Sequence, residues 1–573
     1  MNKLKSILTL ALIALAFTSQ AQPLNYVWGK TMAMDGSGGP YSTKIDDDRN
    51  VYIGGSFQNT VDFDPGVGVA EFTADGVSNI FVQKLDPDGN YLWAVSFGGS
   101  FLDAARSIDV DASGNVYVTG EFRETVDFDP GPGIENRTAE DKADIFILKL
   151  DAAGNLVWVV TPTGPGENYG KSIVLDYSGN LIVTGQFDEG LDFNADPNET
   201  HFRTTVGGGD IFVMKLDTDG NFLWANTMGS GAYDAAGYIS VDGADNILVT
   251  GTFVNTIDFQ PNSSPILLEA VDGNDFFVLK LSPDGDVVWT RQVGGDGSDF
   301  AGHVATDLHA NVYVAGHFAG TCDFNPGAAV WPAVSNGGFD GYVVQLDVDG
   351  NFNWVKTFGS ADDDGAFGIV RSSDFSMYIL GSFHGTVDLE PGFDELLLTS
   401  AGAAEGNPNL FVQKIDMEGD NIWVQAYGGT DGASGWSIDA IGWGDVVIAS
   451  RIEGPVNFNP EGETTLLGEA GVSSMGVVKI NSPLVGLSEG SPSDQIDLDL
   501  YPNPTTGNVT IDLTEIEGVN QISLIDMMGR LVYSHSYNGA QSIVLPVSEL
   551  SSGIYLVRVQ GNDHQFVSRL VRK

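Results

Sequence analysis

Tryptophan recurs along this chain at a nearly fixed step. Trp28, Trp93, Trp158, Trp224, Trp289, Trp354 and Trp423 are separated by 65, 65, 66, 65, 65 and 69 residues. A second marker keeps the same step: Asp62-Phe63, Asp127-Phe128, Asp192-Phe193, Asp258-Phe259, Asp323-Phe324, Asp388-Leu389 and Asn457-Phe458. Self-similarity of this period restricts the fold to copies of one supersecondary unit, stacked or arranged radially. Within the unit spanning 104–160, Ser107–Val110, Val116–Phe122, Ile145–Leu150 and Leu156–Val160 read as four strands. They are short β-branched and aromatic runs separated by Asp/Gly/Asn turns at 111–115 and 151–155. Thr125–Gly133 reads as a loop, and nothing has helical period.

Four antiparallel strands per unit, about seven times over, predict an all-β, seven-bladed β-propeller. The ends argue for closure. The last unit has strands at 437–452 and 475–480 but no Trp strand after them. Tyr26–Met32, around Trp28, is expected to pair with Met475–Ile480 and close the ring, hiding edges that would otherwise invite aggregation. Gly- and Ala-rich first strands suit a crowded centre, and the Trp strand suits the wider rim between blades.

Charge narrows the partners. The 573 residues hold 77 acids against 26 Lys and Arg, a formal charge of −51. Nucleic acid and anionic membrane need basic patches, so neither is expected as a partner. The single cysteine excludes an internal disulfide framework and any Cys-rich zinc site. Lys3 and Lys5, the apolar run Ile7–Phe17 and the small residues Ser19 and Ala21 read as a signal peptide at 1–21. No later segment reads as transmembrane. Residues 22–481 then form the propeller, 482–496 a Ser/Pro/Gly/acid-rich linker, and 497–573 a small C-terminal β-sandwich of six alternating strands.

Two resemblances follow from particular residues. Gly98-Gly99, Asp103-Ala104, Ile108, Asp111, Gly114-Asn115 and Tyr117-Val118-Thr119-Gly120 resemble the SBBP family of seven-bladed propeller repeats. That likeness implies the fold and leaves activity open. Tyr501, Pro502, Asn503, Pro504 and Gly507, with Gly529, Gly553, Tyr555 and the basic end Arg569–Lys573, resemble the type A C-terminal sorting domain of the type IX secretion system. This resemblance implies a Bacteroidetes-type Gram-negative source, and export through the periplasm to the outer-membrane surface or the extracellular space. It also implies the secretion machinery as a partner, removal of the domain, and covalent attachment to surface lipopolysaccharide.

Candidate chemistry is sparse. The Asp-x-Asp-Gly-Asn turns at 86–90, 217–221 and 347–351 lack the further ligands of a calcium loop, and read as Asx-turned hairpins. Asp62, Asp64, Asp127 and Asp129, in the Asp-Phe-Asp-Pro-Gly loops, are candidate ligands for a hard cation such as Ca2+. The alternative is that each caps its own loop. Residues that break the repeat are better site candidates: Arg106, Lys171 and His303 in or beside first strands, and Trp331, Trp436 and Trp443 outside the Trp step. Aromatic and basic groups around a pocket suit a glycan or protein ligand. Cys322 replaces an aliphatic residue of other units and reads as a small buried hydrophobe. No catalytic residue set emerges. The expected function is a secreted, non-catalytic binding, adhesion or scaffold module. The alternative is an extracellular polysaccharide lyase or hydrolase with its site at the channel mouth.

Overall fold

The computed structural model describes residues 25–34, 36–196, 198–260, 264–374, 376–390, 396–402, 406–442, 444–459 and 464–481. Further on it describes 500–501, 505, 507–513, 521–526, 531–536, 542–545, 547, 550, 553–560 and 565–572. The segments read from sequence as signal peptide and linker, and Trp443, Pro502, Asn503, Pro504 and Gly529, lie outside the described residues. No described residue is helical, and the chain is all-β.

Antiparallel sheets of four strands recur at the 65-residue step, consistent with a propeller. Their leading strands are Gly39–Ile45, Ala104–Val110, Tyr169–Leu175, Ala235–Val241, Asp299–Thr306, Gly365–Arg371 and Ala433–Ile441. In the sheet led by Ala104–Val110 the next strands are Val116–Phe122, Asp144–Leu150 and Leu156–Val160, within three residues of the sequence reading. The strand Asn25–Met34 does not join the sheet that follows it. It pairs with Ser473–Asn481, Tyr26 opposite Ile480 and Met32 opposite Met475, as the incomplete last repeat requires.

Adjacent sheets interlock at both ends of each strand set. The Trp93 indole donates to the Ala152 carbonyl of the next sheet, and Trp158, Trp224, Trp289 and Trp354 repeat this with Thr218, Pro283, Val348 and Met417. Trp28 does so with Pro87, so the N-terminal strand sits in the last sheet and docks on the first. The receiving turns carry Gly89, Gly154 and Gly220 at positive φ, and a Cβ there would press on the indole. Leading strands are stitched by serines: Ser42, Ser107 and Ser172 Oγ accept from Ile108, Ile173 and Ile239 amides, and Ser437 Oγ accepts from Thr43.

The segment after each second strand, expected to be a loop, is a short hairpin such as Thr125–Asp127 with Asn136–Thr138. One carboxylate makes it so. Asp127 Oδ1 accepts from the amides of Asp129 and Glu135, which draws the flanking residues into register. At the C-terminus, Leu500–Tyr501, Val509–Asp512 and Ser542–Leu545 form one sheet. Leu531–Ser536, Gln521–Asp526, Gly553–Gln560 and Gln565–Arg572 form a second, around Val509, Ile522, Leu524, Leu545, Val557 and Val559.

Candidate functional site

Each of the seven leading strands carries a β-bulge at the same place. Opposite it on the second strand, six sheets have a glycine: Gly55, Gly120, Gly185, Gly251, Gly316 and Gly381. A Cβ at Gly120 would lie 1.9 Å from the Ala104 carbonyl oxygen, so the leading strand can approach only over glycine. A bulge sets two residues against one and re-aims a side chain. In five strands the first bulge residue is large and the second small: Tyr41-Ser42, Arg106-Ser107, Lys171-Ser172, Phe367-Gly368 and Trp436-Ser437. In the other two the order inverts, Gly237-Tyr238 and Gly302-His303. Every bulge therefore presents one large side chain.

These side chains converge. Tyr41, Arg106, Lys171, Tyr238, Phe367 and Trp436 line a cavity of about 550 Å³ to which all seven leading strands contribute. His303 lines an adjoining cavity of about 330 Å³ that shares Tyr41, Arg106 and Tyr238 with the first. Tyr41 stacks on Trp436, with centroids 5.1 Å apart and planes 6° from parallel, and the Arg106 guanidinium lies 5.1 Å over the Tyr41 ring. The Tyr238 and His303 rings lie 3.7 Å apart with their planes tilted by 30°, and Lys171 Nζ is 5.0 Å from the Tyr238 ring centre. His317, Phe339, Asp363, His384 and Ser434 complete the rim.

The charges are arranged unequally. Arg106 Nε donates to both oxygens of the buried Glu121 at 3.0 and 2.9 Å, and this partner holds the guanidinium charged against its burial. Burial, then Lys171 and Lys44, push the His303 imidazole down to about 3, so it is neutral at physiological pH. Burial likewise takes His317 down to about 4. The carboxylates at the cavity are occupied. Asp363 Oδ1 accepts from the Phe339 amide, and Asp364 accepts from the Ser360 and His384 amides.

Of the residues singled out from sequence, Arg106, Lys171 and Trp436 share the main cavity and His303 the adjoining one. Trp331 does not line it. That residue is 55% exposed on an outer hairpin and packs on Phe352. Tyr41, Tyr238 and Phe367 were missed. The signal was present, since Tyr41 and Phe367 occupy the same repeat column as Arg106 and Trp436, and Tyr238 the column after it. Asp62 and Asp127 each accept two amides of their own loop, and Asp64 and Asp129 accept from Gly66 and Gly131. Among the described residues no group of three or more His, Cys, Asp or Glu is placed to hold a metal. The acids Asp103, Asp234 and Asp364 are buried and accept loop amides. Cys322 is buried, and burial pushes its thiol up.

Comparison with known proteins supplies the remaining assignment. The secretion system C-terminal sorting domain family matches residues 499–573, and the beta-propeller repeat family matches 288–317. An uncharacterized WD repeat-containing protein of Acanthamoeba polyphaga mimivirus is 24% identical over 502 residues, 72% of this chain and 35% of that protein. The regulatory protein FlaEY of Caulobacter vibrioides is 24% identical over 382 residues, 62% of this chain and 37% of that protein. The chain thus spans little more than a third of these relatives' length. Among solved structures, a protein of unknown function from Bacteroides caccae aligns over 60% of this chain and 89% of its own, at 11% identity and a TM-score of 0.30. The extracellular domain of a one component system protein from B. thetaiotaomicron covers 97% of this chain and all of its own, at 9% identity and a TM-score of 0.17. The chain carries an SBBP beta-propeller repeat and a type IX sorting domain, and is a protein exported by that route to the cell surface or the extracellular space.

Proposed function

We propose that this chain is a surface or extracellular seven-bladed propeller that binds a ligand, without catalysis, in the cavity framed by the seven bulges. The ring closes through Asn25–Met34, which pairs with the last sheet while Trp28 docks on the first. The signal peptide spans 1–21, the propeller 22–481, the linker 482–496 and the sorting domain 497–573. Sorting brings the propeller to the surface, where the sorting domain is removed and the chain is attached to lipopolysaccharide.

One observation carries the reading. The repeat keeps its bulge in every leading strand but changes the residue each presents: Tyr41, Arg106, Lys171, Tyr238, His303, Phe367, Trp436. A purely structural position would repeat one residue type, as the facing glycines do. Varied aromatic and cationic groups around one concavity are the make-up of a ligand site. Hydrolysis would instead need two free carboxyls facing each other. Here Glu121 is engaged by Arg106, and Asp363 and Asp364 hold backbone amides.

A glycan and peptide array probed with the full chain tests the proposal. Ligands captured by the native protein and lost by a folded Tyr41→Ala/Trp436→Ala variant support it. Capture undiminished in that variant, or turnover of the captured glycan, overturns it.

A further inference from the structure

The cavity walls are largely apolar, and although Asp363 and Asp364 line it, one of its cations has no carboxylate within ion-pair distance among the described residues. Arg106 is neutralised by Glu121, and deeper in, Lys44 lies 3.4 Å from Asp109. His303 is neutral. Lys171 differs: among the described residues no carboxylate lies within 4 Å of its ammonium, which faces the Tyr238 ring. Arg371, lining the adjoining cavity, also has no carboxylate that close among the described residues. In a chain of formal charge −51 this is a notable placement for unpaired cations. A half-buried ammonium over a ring face has lost hydration and recovered only part of it, so an arriving anion gains more there than at a solvated lysine.

The Tyr41 and Trp436 rings are stacked face to face and the Arg106 guanidinium lies over Tyr41, so a sugar ring would meet the side of this stack, with the Trp436 indole supplying apolar aromatic surface to the cavity. Ser382, Ser434, His317 and His384 place hydrogen-bonding groups around it, the partners that sugar hydroxyls need.

Resting on the ligand-binding reading above, we propose that the ligand is a sugar ring bearing a carboxylate. Its ring packs against the Tyr41–Trp436 stack and its carboxylate pairs with Lys171. The adjoining cavity, with Arg371, takes a second acidic unit, so an acidic chain end binds more tightly than the free acid sugar.

The test is calorimetric titration of the full chain with glucuronate, with a glucuronate-terminated disaccharide, with the methyl ester of that disaccharide, and with a neutral glucose disaccharide. The acid disaccharide is expected to bind at least tenfold tighter than its ester. Raising the ionic strength should weaken the acid and leave the ester unchanged. Lys171→Met should remove the tenfold advantage of acid over ester, while Tyr41→Ala/Trp436→Ala should abolish binding of acid and ester alike. Equal affinity of acid and ester, or of native protein and Lys171→Met for the acid, overturns the acidic-sugar assignment while loss in the double variant leaves the cavity reading standing. Binding that survives the double variant overturns the cavity reading itself. Absence of binding by all four probes overturns the acidic-sugar assignment, and the array then judges the cavity.

Discussion

Asn168 donates through Nδ2 to Asp144 Oδ1 at 3.0 Å, joining the third strand of one sheet to the leading strand of the next. The same seam is filled 24 residues apart elsewhere by Asp210 and Asp234, Asp275 and Asp299, and Asp340 and Asp364. The oxygens equivalent to Asp144 Oδ1, namely Asp210 Oδ1, Asp275 Oδ1 and Asp340 Oδ1, are buried with no hydrogen-bond partner among the described residues. Where asparagine supplies the donor in one seam, only a proton can supply it in these three. Burial, with the facing carboxylate adding to it, pushes Asp210 and Asp299 up to about 7 and Asp340 up to about 6. Each pair titrates as a unit.

A carboxyl whose folded pKa lies above its unfolded value holds its proton more tightly when folded. The resulting stability is complete below about pH 4, the unfolded range of aspartate. It is lost as pH rises through 6 to 7. His303 and His317, held below the free imidazole value of 6.5, lose stability as pH falls below it and oppose this trend, so the carboxyl contribution is read by comparing variants. Asp299→Asn, which copies Asn168, should stabilise the protein by about 1 kcal/mol at pH 8 and change little at pH 5. Thermal unfolding of both proteins from pH 4 to 8 measures this, and a difference between native and Asp299→Asn midpoints that does not change with pH in that window rejects it.

Trp28 links three places in the chain: it pairs within the last sheet and donates to Pro87 of the first. Trp28→Phe removes the hydrogen bond and keeps most of the buried area, for a loss of about 1 kcal/mol. Trp28→Ala also empties the site, for about 3 kcal/mol. Because the strand ties first and last sheets, Trp28→Ala should raise amide exchange in Gly39–Ile45 and Ser473–Asn481 together. Exchange confined to Asn25–Met34 would mean the strand is an ornament on an otherwise self-sufficient array.

The turns that look like calcium loops should ignore chelators. Asp86 Oδ1 accepts from the Asp88 and Asn90 amides, and its Oδ2 accepts from the Asn90 side chain at 2.9 Å. Asp217 and Asp347 repeat the first two bonds. With the carboxylate engaged by its own turn, EDTA should leave the unfolding midpoint unchanged, whereas Asn90→Ala should cost about 1 kcal/mol. A midpoint that drops on EDTA and recovers with added Ca2+ contradicts this.

The repeat step, the four strands of each unit and the N-terminal partner of Ser473–Asn481 were legible because they rest on local signals: alternating apolar runs, turn residues and a count that leaves one strand missing. The cavity was legible only in part. Arg106, Lys171, His303 and Trp436 drew attention as charged or unusual residues. Tyr41, Tyr238 and Phe367 look like ordinary strand aromatics until the bulge turns them inward. A bulge inserts one residue and shifts the alternation, and its cause is on another strand. The buried seams are hard to read for a related reason: Asp234 and Asp364 sit in polar, turn-like sequence, and only the paired third strand shows that they are covered.

That distant cause can be tested directly. Gly120 faces the bulge at Arg106, and its missing side chain lets the Ala104 carbonyl approach to a distance no Cβ tolerates. The contact is with backbone, which cannot swing away as a flexible side chain would. Gly120→Ala should destabilise the fold by about 3 kcal/mol. In the population that still folds, the leading strand must retreat, carrying Arg106 from Glu121. Ligand affinity should then fall together with stability, whereas Gly179→Ala, at a turn where a Cβ meets nothing within 4 Å, strains only its positive φ and should spare the cavity. Thermal melts with binding isotherms on both variants separate the outcomes, and a Gly120→Ala protein with native stability would show that the bulge does not depend on the facing glycine.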